Sequence, residues 1–168
     1  MMAMNWVRRL SPMWTTAALW LALSASTRAA SDLQLAPDLS FTDDSSPNFP
    51  IVAADPANAA IASDRPTLIF FGTSHCWNTA REAERVVKLY PKYRDQVHFV
   101  VVDLNHASPA QQALVSRYYH GYIPTLAIFD GKGKSTYDQA GETAGARGDA
   151  AALDELIESA LKSDAGAH

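Results

Sequence analysis

Residues 70–79 contain the only cysteine of the chain and read Phe70-Phe71-Gly72-Thr73-Ser74-His75-Cys76-Trp77-Asn78-Thr79. The run that leads into them, from Pro66 to Phe71, is mostly apolar and aromatic, as in a buried β-strand. The residues from Thr79 to Tyr90 contain helix formers with apolar side chains at a helical spacing. The sequence therefore predicts that Cys76 stands where a strand ends and a helix begins.

The thiol of Cys76 would then face the first N–H groups of that helix, which have no partner within the helix, and the positive end of the helix dipole. This environment favours the thiolate, which is the nucleophilic form of cysteine. The alternative is that Cys76 is a small buried apolar residue, which is the usual role of a free cysteine. The strand-to-helix setting favours the reactive interpretation.

Residues 1–30 have the layout of a secretory signal. Arg8 and Arg9 form a basic start, residues 13–25 are mostly apolar, and small residues follow up to Ala30. The apolar run is shorter than the roughly 20 residues that span a bilayer. We therefore expect cleavage close to Ser31 and export to the periplasm or the extracellular space. The alternative is an uncleaved segment that anchors the protein in the membrane.

The charge of the exported chain argues against nucleic acid as a partner. Residues 1–30 hold three of the 14 basic residues and no acid, which leaves 11 against 18 acidic residues, a net charge of −7. No basic cluster interrupts this acidic composition, although nucleic-acid binding depends on one. In an oxidising compartment the single thiol has no disulfide partner within the chain, so it is buried, paired with another molecule, or reactive.

No cofactor is expected, and the histidines predict no metal site. His98, His106 and His120 share no ligand-like spacing with Cys76.

The rest of the chain divides into a lead-in, one domain and a short tail. Residues 31–50 are rich in Ser, Asp and Pro and are expected to be a flexible lead-in. The domain covers residues 51–162, and residues 163–168 form the tail. The domain opens with a short edge strand over 49–53 and a helix that starts at Asp55 and Pro56 and runs to Ala62.

Strands and helices then alternate along the domain. The predicted strands are 67–71, 97–102, 125–129 and 135–139, and the predicted helices are 79–90, 109–119 and 149–162. The first of these helices is expected to break at Pro91, and residues 130–134 form a Gly-containing hairpin turn. This order predicts an α/β fold, in which a mixed central β-sheet is covered by helices on both sides as a three-layer α/β/α sandwich.

A second motif, Gly121-Tyr122-Ile123-Pro124-Thr125-Leu126, leads into a predicted core strand. Proline cannot donate to a sheet, so its place at this entry needs a reason. A cis Ile123–Pro124 bond supplies one, because it turns the chain tightly and leaves nearby backbone groups pointing outward. An ordinary trans proline at a strand start is the alternative.

Together these motifs resemble the thioredoxin superfamily over residues 51–162. The resemblance is carried by the apolar strand before Cys76, the helix after it, the Ile123-Pro124-Thr125 motif and the Gly-containing hairpin. It implies a thioredoxin-like fold with the cis proline packed beside Cys76. It also implies thiol–disulfide chemistry on protein or small-molecule thiols and disulfides, carried out by a monomer.

The active-site motif departs from the family at the second cysteine, because the four residues are Cys76-Trp77-Asn78-Thr79. A dithiol enzyme uses its second thiol to resolve the mixed disulfide, and Thr79 cannot do this. Its hydroxyl is instead expected to donate a hydrogen bond to the Cys76 sulfur. His75 either helps to ionise the thiol or relays a proton, or it is a solvated loop residue.

Two further departures concern substrate binding and proton transfer. Trp77 and Asn78 replace smaller residues and, with Ile123 and Pro124, are expected to line the substrate site. Phe70 stands where the family's proton-shuttling members carry a buried acid.

Three functions remain open at this stage. The first is a single-cysteine oxidoreductase that depends on an external resolving thiol. The second is a catalytically inactive module that binds peptides or acts as a chaperone through the same groove. The third is peroxidatic chemistry, because Thr73 stands three residues before Cys76 as in peroxiredoxins; however, Ile69 occupies the place of a proline that those enzymes carry.

Overall fold

A computed structural model describes residues 33–140 and 149–165 of the chain. The elements in this part are β1 (Gln34–Leu35), β2 (Ile51–Val52), β3 (Thr67–Gly72), α1 (Trp77–Tyr93), β4 (His98–Asp103), α2 (Pro109–Tyr118), β5 (Thr125–Phe129), β6 (Ser135–Ala140) and α3 (Ala150–Ala165). The predicted signal segment and the last three residues of the predicted tail, 166–168, lie outside the described residues. Within the two described ranges, no helix combines the length and apolar character needed to cross a bilayer.

The central sheet has four strands in the order β4-β3-β5-β6. Strand β3 is parallel to β4 on one side and antiparallel to β5 on the other, and β6 runs antiparallel to β5. Every residue of β3 is buried, which is typical of a strand covered on both faces. The sheet is therefore mixed, as the sequence predicts, and β3 delivers the chain from its centre to Cys76.

Alternate residues of β3 face two separate layers of helices. Leu68 and Phe70 pack with the apolar faces of α1 and α3. Ile69 and Phe71 pack on the opposite side, where Leu114 of α2 belongs to the same cluster. This period of two follows from the pleat of the strand. The result is a three-layer α/β/α sandwich, which confirms the fold class predicted from the sequence.

Helix α1 is longer than predicted at both ends. It begins at Trp77 rather than Thr79, and it continues through Pro91 to Tyr93 instead of ending before the proline. The turn around Pro91 is retained, since the Arg94 N–H donates to the Tyr90 carbonyl at 2.9 Å. Apart from the helix predicted over residues 56–62, the other predicted elements of the domain agree with the structure to within a few residues at their ends.

The helix predicted over residues 56–62 does not form, which is a correction to the sequence analysis. The buried side chain of Gln111 donates to the carbonyls of Pro56 at 3.0 Å and Asn58 at 2.9 Å. The Ala62 N–H, which would close a helical turn, donates instead to Thr67 Oγ1 at 2.9 Å. Tertiary hydrogen bonds therefore take the backbone groups that the helix would need.

The described part of the predicted lead-in, residues 33–50, packs against the domain at its two ends. Strands β1 and β2 pair antiparallel and enclose the loop 36–50. Leu33 is buried in the core cluster, and the Phe49 ring meets the Phe70 ring edge-on with centroids 6.0 Å apart. Burial of these side chains stabilises a segment whose composition alone indicates disorder.

A buried ion pair lies on α1. Arg85 Nε donates to Glu82 Oε1 at 2.9 Å, and both side chains are fully buried. Arg85 also reaches towards the start of α3, where Nη1 lies 3.4 Å from the Asp149 carbonyl oxygen. The pair therefore connects α1 to the segment that leads into α3.

A second polar contact joins the C-terminal end of α1 to the N-terminal half of α3 at the surface. Lys92 Nζ donates to both oxygens of Asp154 at 2.8 Å, and Tyr93 OH donates to Oδ1 at 2.7 Å. Hydrogen bonds from Lys92 and then Tyr93 lower the pKa of Asp154 below its ordinary value. Burial raises the pKa of Tyr93.

Candidate functional site

Cys76 is the residue immediately before the first turn of α1. Its backbone is extended, with φ −142° and ψ 107°, and its carbonyl accepts the first helical hydrogen bond from the Ala80 N–H at 3.0 Å. The side chain is half-buried and accepts no capping hydrogen bond from the helix backbone. The structure thus places the thiol at the strand-to-helix junction, partly accessible to solvent.

His75 turns the chain into α1. Its φ of +52° lies in the left-handed region, which histidine enters more readily than most residues with a Cβ. Its backbone N–H donates to the Ser46 carbonyl at 3.3 Å, while its side chain is exposed. This geometry corresponds to the solvated loop residue, one of the two roles expected from the sequence; a role in proton transfer stays a prediction.

Thr79 is completely buried and faces the end of β3. A Cβ added to Gly72 would lie 2.4 Å from the Thr79 methyl Cγ2, so the threonine packs directly on the glycine backbone. Its hydroxyl has no hydrogen-bond partner among the described residues. The expected hydrogen bond from Thr79 to the Cys76 sulfur is therefore not formed, which corrects that prediction.

Trp77 and Asn78 follow the thiol on the first turn and are both half-buried. The backbone N–H of Trp77 donates to Asp44 Oδ1 at 3.0 Å. The Arg81 guanidinium lies 5.7 Å from the centre of the indole ring. The side-chain oxygen of Asn78 is buried without a hydrogen-bond partner in the described part of the chain. Both residues therefore lie directly after Cys76. Their expected role in lining the substrate site stays a prediction.

The Ile123–Pro124 peptide bond is cis, the form predicted from the sequence. Thr125, the first residue of β5, pairs with Phe71 of β3. One step further, Gly72 ends β3 and Pro124 precedes β5, so both residues lie at the same edge of the sheet. The register thus brings the proline motif and the cysteine-bearing turn to one end of the sandwich.

The residues before the proline are the most exposed large apolar side chains near this edge. Tyr122 is 64% exposed and Ile123 is 37% exposed. The turn itself is held by Thr125, whose hydroxyl donates to the Tyr122 carbonyl at 2.6 Å. An apolar surface is thus presented beside a rigid turn.

The loop after β4 supports the turn before Cys76. The Leu104 N–H donates to the Gly72 carbonyl at 2.9 Å, and Asn105 Nδ2 donates to Ser74 Oγ at 3.1 Å. These bonds fix the path of residues 72–74. Because β4 is parallel to β3, both strands end at this edge of the sheet.

Sequence reasoning missed two residues that contact the turn from outside the domain predicted over 51–162. Ser46 and Asp44 supply the acceptors for the backbone N–H groups of His75 and Trp77. No local pattern signals such contacts, because they join positions about 30 residues apart. Among the described residues, no cluster of three or more His, Cys, Asp or Glu side chains could hold a metal ion.

The sheet order, the parallel β3–α1–β4 unit, the β5–β6 hairpin and the final helix define a thioredoxin-like fold. The cis proline at the edge that carries the cysteine agrees with this class. The site itself contains one cysteine where a pair is usual in the family that the sequence resembles.

Comparison with solved structures finds thioredoxins at low similarity. A thioredoxin-like protein in the oxidised form has 21% identity and a TM-score of 0.47, over 60% of this chain and 80% of that one. Oxidised thioredoxin O2 of Arabidopsis thaliana has 19% identity and a TM-score of 0.45, over 62% and 80%. The reduced thioredoxin pre-protein of Schistosoma mansoni has 18% identity and a TM-score of 0.45, over 58% and 80%.

No protein-family model matches the sequence, and no curated protein does.

Proposed function

We propose that the protein is an exported thiol–disulfide oxidoreductase that uses Cys76 as its single nucleophile. The observation that carries this proposal is the half-buried thiol at the start of α1, at the sheet edge shared with the cis proline. The positive end of the helix dipole at this point favours negative charge on the sulfur. The thiolate is the species that attacks a disulfide.

The reaction needs a thiol from a second molecule. The Cys76 thiolate attacks one sulfur of the partner's disulfide, so that a mixed disulfide forms and the other partner sulfur leaves as a thiolate. An external thiol such as glutathione then attacks the mixed disulfide, and a second one completes the exchange. The partner's disulfide is reduced to two thiols, two external thiols are oxidised to one disulfide, and Cys76 returns to its starting form.

The partner segment would bind beside the cis proline. The exposed side chains of Tyr122 and Ile123 offer apolar contact, and the backbone before Pro124 offers hydrogen bonds for an added strand. Trp77 and Asn78 would contact the other side of the same segment. This arrangement brings a bound disulfide to the half-buried Cys76 sulfur.

Export to the periplasm or the extracellular space belongs to this proposal through residues 1–30. Their basic start, short apolar run and small residues are typical of a cleaved signal. N-terminal sequencing of exported protein is expected to start close to Ser31. Recovery of membrane-bound protein with Met1 intact would contradict cleavage.

The central experiment measures whether Cys76 reacts in the folded protein. Native protein should be alkylated by iodoacetamide, and it should form a mixed disulfide with oxidised glutathione that mass spectrometry detects. Turnover of a model disulfide should be slow with glutathione and poor without it. Cys76→Ser should abolish alkylation, formation of the mixed disulfide and turnover, while the circular dichroism spectrum is unchanged.

Thr79→Cys provides the matched gain of function. A thiol at this position would supply the resolving group within the chain, so dithiol-type reduction should rise without glutathione. The double variant Cys76→Ser/Thr79→Cys is the control for any activity of the new thiol alone. No gain from Thr79→Cys would contradict the proposed geometry of the first turn.

The peptide-binding module remains the second candidate function. It is favoured by one observation: the Cys76 side chain accepts no hydrogen bond from the first turn of α1. Alkylation of Cys76 only after denaturation would support this module. In that case Cys76→Ser should bind peptides as well as the wild type does.

A further inference from the structure

The loop 36–50 lies against the turn that carries Cys76. The Ser46 carbonyl accepts from the His75 N–H at 3.3 Å, and Asp44 Oδ1 accepts from the Trp77 N–H at 3.0 Å. The loop therefore engages the backbone N–H groups on both sides of the cysteine. The second contact brings a carboxylate to the first turn of α1, immediately after the thiol.

The loop is held in this position by its own hydrogen bonds. Ser46 is buried; its hydroxyl accepts from the Ser40 N–H at 2.8 Å and donates to the Ser40 carbonyl at 3.3 Å. Asp43 Oδ1 accepts from the Ser45 N–H at 3.0 Å and from the Ser45 hydroxyl. Hydrogen bonds from Ser45, and then from Ser40, lower the pKa of Asp43. Asp44 is thus presented to α1 by a structured turn.

We propose that Asp44 is a positioning residue that restrains the reactivity of Cys76. Its carboxylate accepts from the backbone N–H of Trp77 and so places a negative charge against the first turn of α1, one residue after the cysteine. Two anions then share one helix end, and each disfavours the other. The other charged or titratable side chains of the described residues near this turn are His75, which is adjacent to the thiol, Arg81, which lies over the Trp77 ring, Asp43, which precedes Asp44 in the loop, and Asp103 with His106, which pair at the end of β4.

This inference rests on the proposed function, since it concerns the same thiol. It adds that the Cys76 thiol reacts more slowly while the loop 36–50 is in place. A partner segment that displaces Asp44 from the Trp77 N–H would activate Cys76 at the moment of binding. Reactivity is then coupled to the partner's occupation of the site.

The experiment compares Asp44→Asn with two controls in the full chain. Asp44→Asn removes the charge and keeps an oxygen that can accept from Trp77. Asp44→Glu keeps the charge. Asp38→Asn makes the same change of net charge at an exposed position six residues upstream in the same loop. The readout is the rate of Cys76 alkylation by iodoacetamide, a neutral reagent, measured between pH 6 and pH 9.

Removal of one charge from a helix end should raise the thiolate fraction at pH 7 by about two- to fivefold. Because nucleophilicity falls as a thiol ionises more easily, the alkylation rate should rise by about 1.5- to threefold. The pH profile of Asp44→Asn should also move to lower pH. Asp44→Glu and Asp38→Asn should keep the wild-type rate and profile.

The dependence of the alkylation rate on salt distinguishes an effect of the Asp44 charge from steric covering of the Cys76 thiol by the loop. At about 1 M salt the Debye length falls to about 3 Å, so the difference between Asp44→Asn and wild type should shrink. Equal rates for Asp44→Asn and Asp38→Asn, or a gain that salt leaves unchanged, would overturn the role of Asp44. If folded wild type and Asp44→Asn both fail to react at any pH, the proposed function itself fails.

Discussion

Replacement of Thr79 by valine should stabilise the protein. The side chain is completely buried, its hydroxyl has no hydrogen-bond partner in the described part of the chain, and its methyl group packs on Gly72. A buried hydroxyl without a partner is destabilising by about 1–3 kcal/mol. Valine keeps the methyl contact and replaces the hydroxyl with a methyl group. Since the added carbon must also fit, we expect a gain of about 1 kcal/mol, at the lower end of this range.

Thr67→Val is the matched control. Thr67 is equally buried, but its Oγ1 accepts from the Ala62 N–H at 2.9 Å. The same substitution there should lower the free energy of unfolding by about 0.5–1.5 kcal/mol. Urea unfolding gives both values directly. For a chain of this size, Thr79→Val should raise the thermal midpoint by about 2–4 °C.

The opposite result would refute the reasoning. If Thr79→Val loses as much stability as Thr67→Val, the Thr79 hydroxyl has a partner in solution. The sulfur of Cys76 is the partner that the sequence predicts, and the alkylation rate of Cys76 would then change together with stability. If the hydroxyl is without a partner, that rate should stay within about twofold of wild type, since less than 0.5 kcal/mol is involved.

Three further substitutions test the packing of Thr79 on Gly72 and the two polar contacts made by α1. Gly72→Ala should destabilise the protein because its Cβ would lie 2.4 Å from the Thr79 methyl, and adding Thr79→Ser should recover much of the loss in a double-mutant cycle followed by urea unfolding. Glu82→Leu should lower the free energy of unfolding by about 3–5 kcal/mol, since it removes the buried carboxylate to which the buried Arg85 guanidinium donates; the double variant with Arg85→Met should lose much less. Asp154→Asn should lower the thermal midpoint at pH 7, and the difference from wild type should begin to shrink as the pH falls below about 4. The reason is that hydrogen bonds from the neighbouring lysine and then tyrosine lower the pKa of this carboxyl, so its contribution is present above the unfolded value of about 3.9 and is lost through the lower folded value. A difference that does not shrink as the pH falls below about 4 would contradict this assignment.

The elements of the central sandwich could be predicted from the sequence because each carries its own pattern. Strands β3, β4 and β5 are short apolar runs, and α1 and α3 present apolar residues at a helical period. The proline motif could be predicted for a similar reason, since a proline at the entry to a core strand is informative by itself. Cys76 followed from the same local logic.

The contacts around the site could not be predicted, because they join segments that are distant in sequence. The lead-in has the composition of a disordered segment, and only the pairing of β1 with β2 and the burial of Leu33 show otherwise. The predicted helix over 56–62 had a good start signal, but hydrogen bonds from Gln111 removed it. The hydrogen bond expected from Thr79 to the Cys76 sulfur was wrong for a related reason. The Thr79 methyl group packs on Gly72, and this contact exists only once the strand and the helix are packed together.

The pairing of Gln34 with Val52 and of Leu35 with Ile51 has a consequence for how partners compete for the site. Because the loop 36–50 is fixed at both ends, it returns to Cys76 as an intramolecular ligand with a constant effective concentration. A partner's apparent dissociation constant is then its intrinsic value divided by the fraction of molecules in which the loop is displaced. This fraction does not depend on the protein's own concentration, so dilution does not reduce the competition from the loop. Partners are therefore selected by how well their own contacts replace those of the loop.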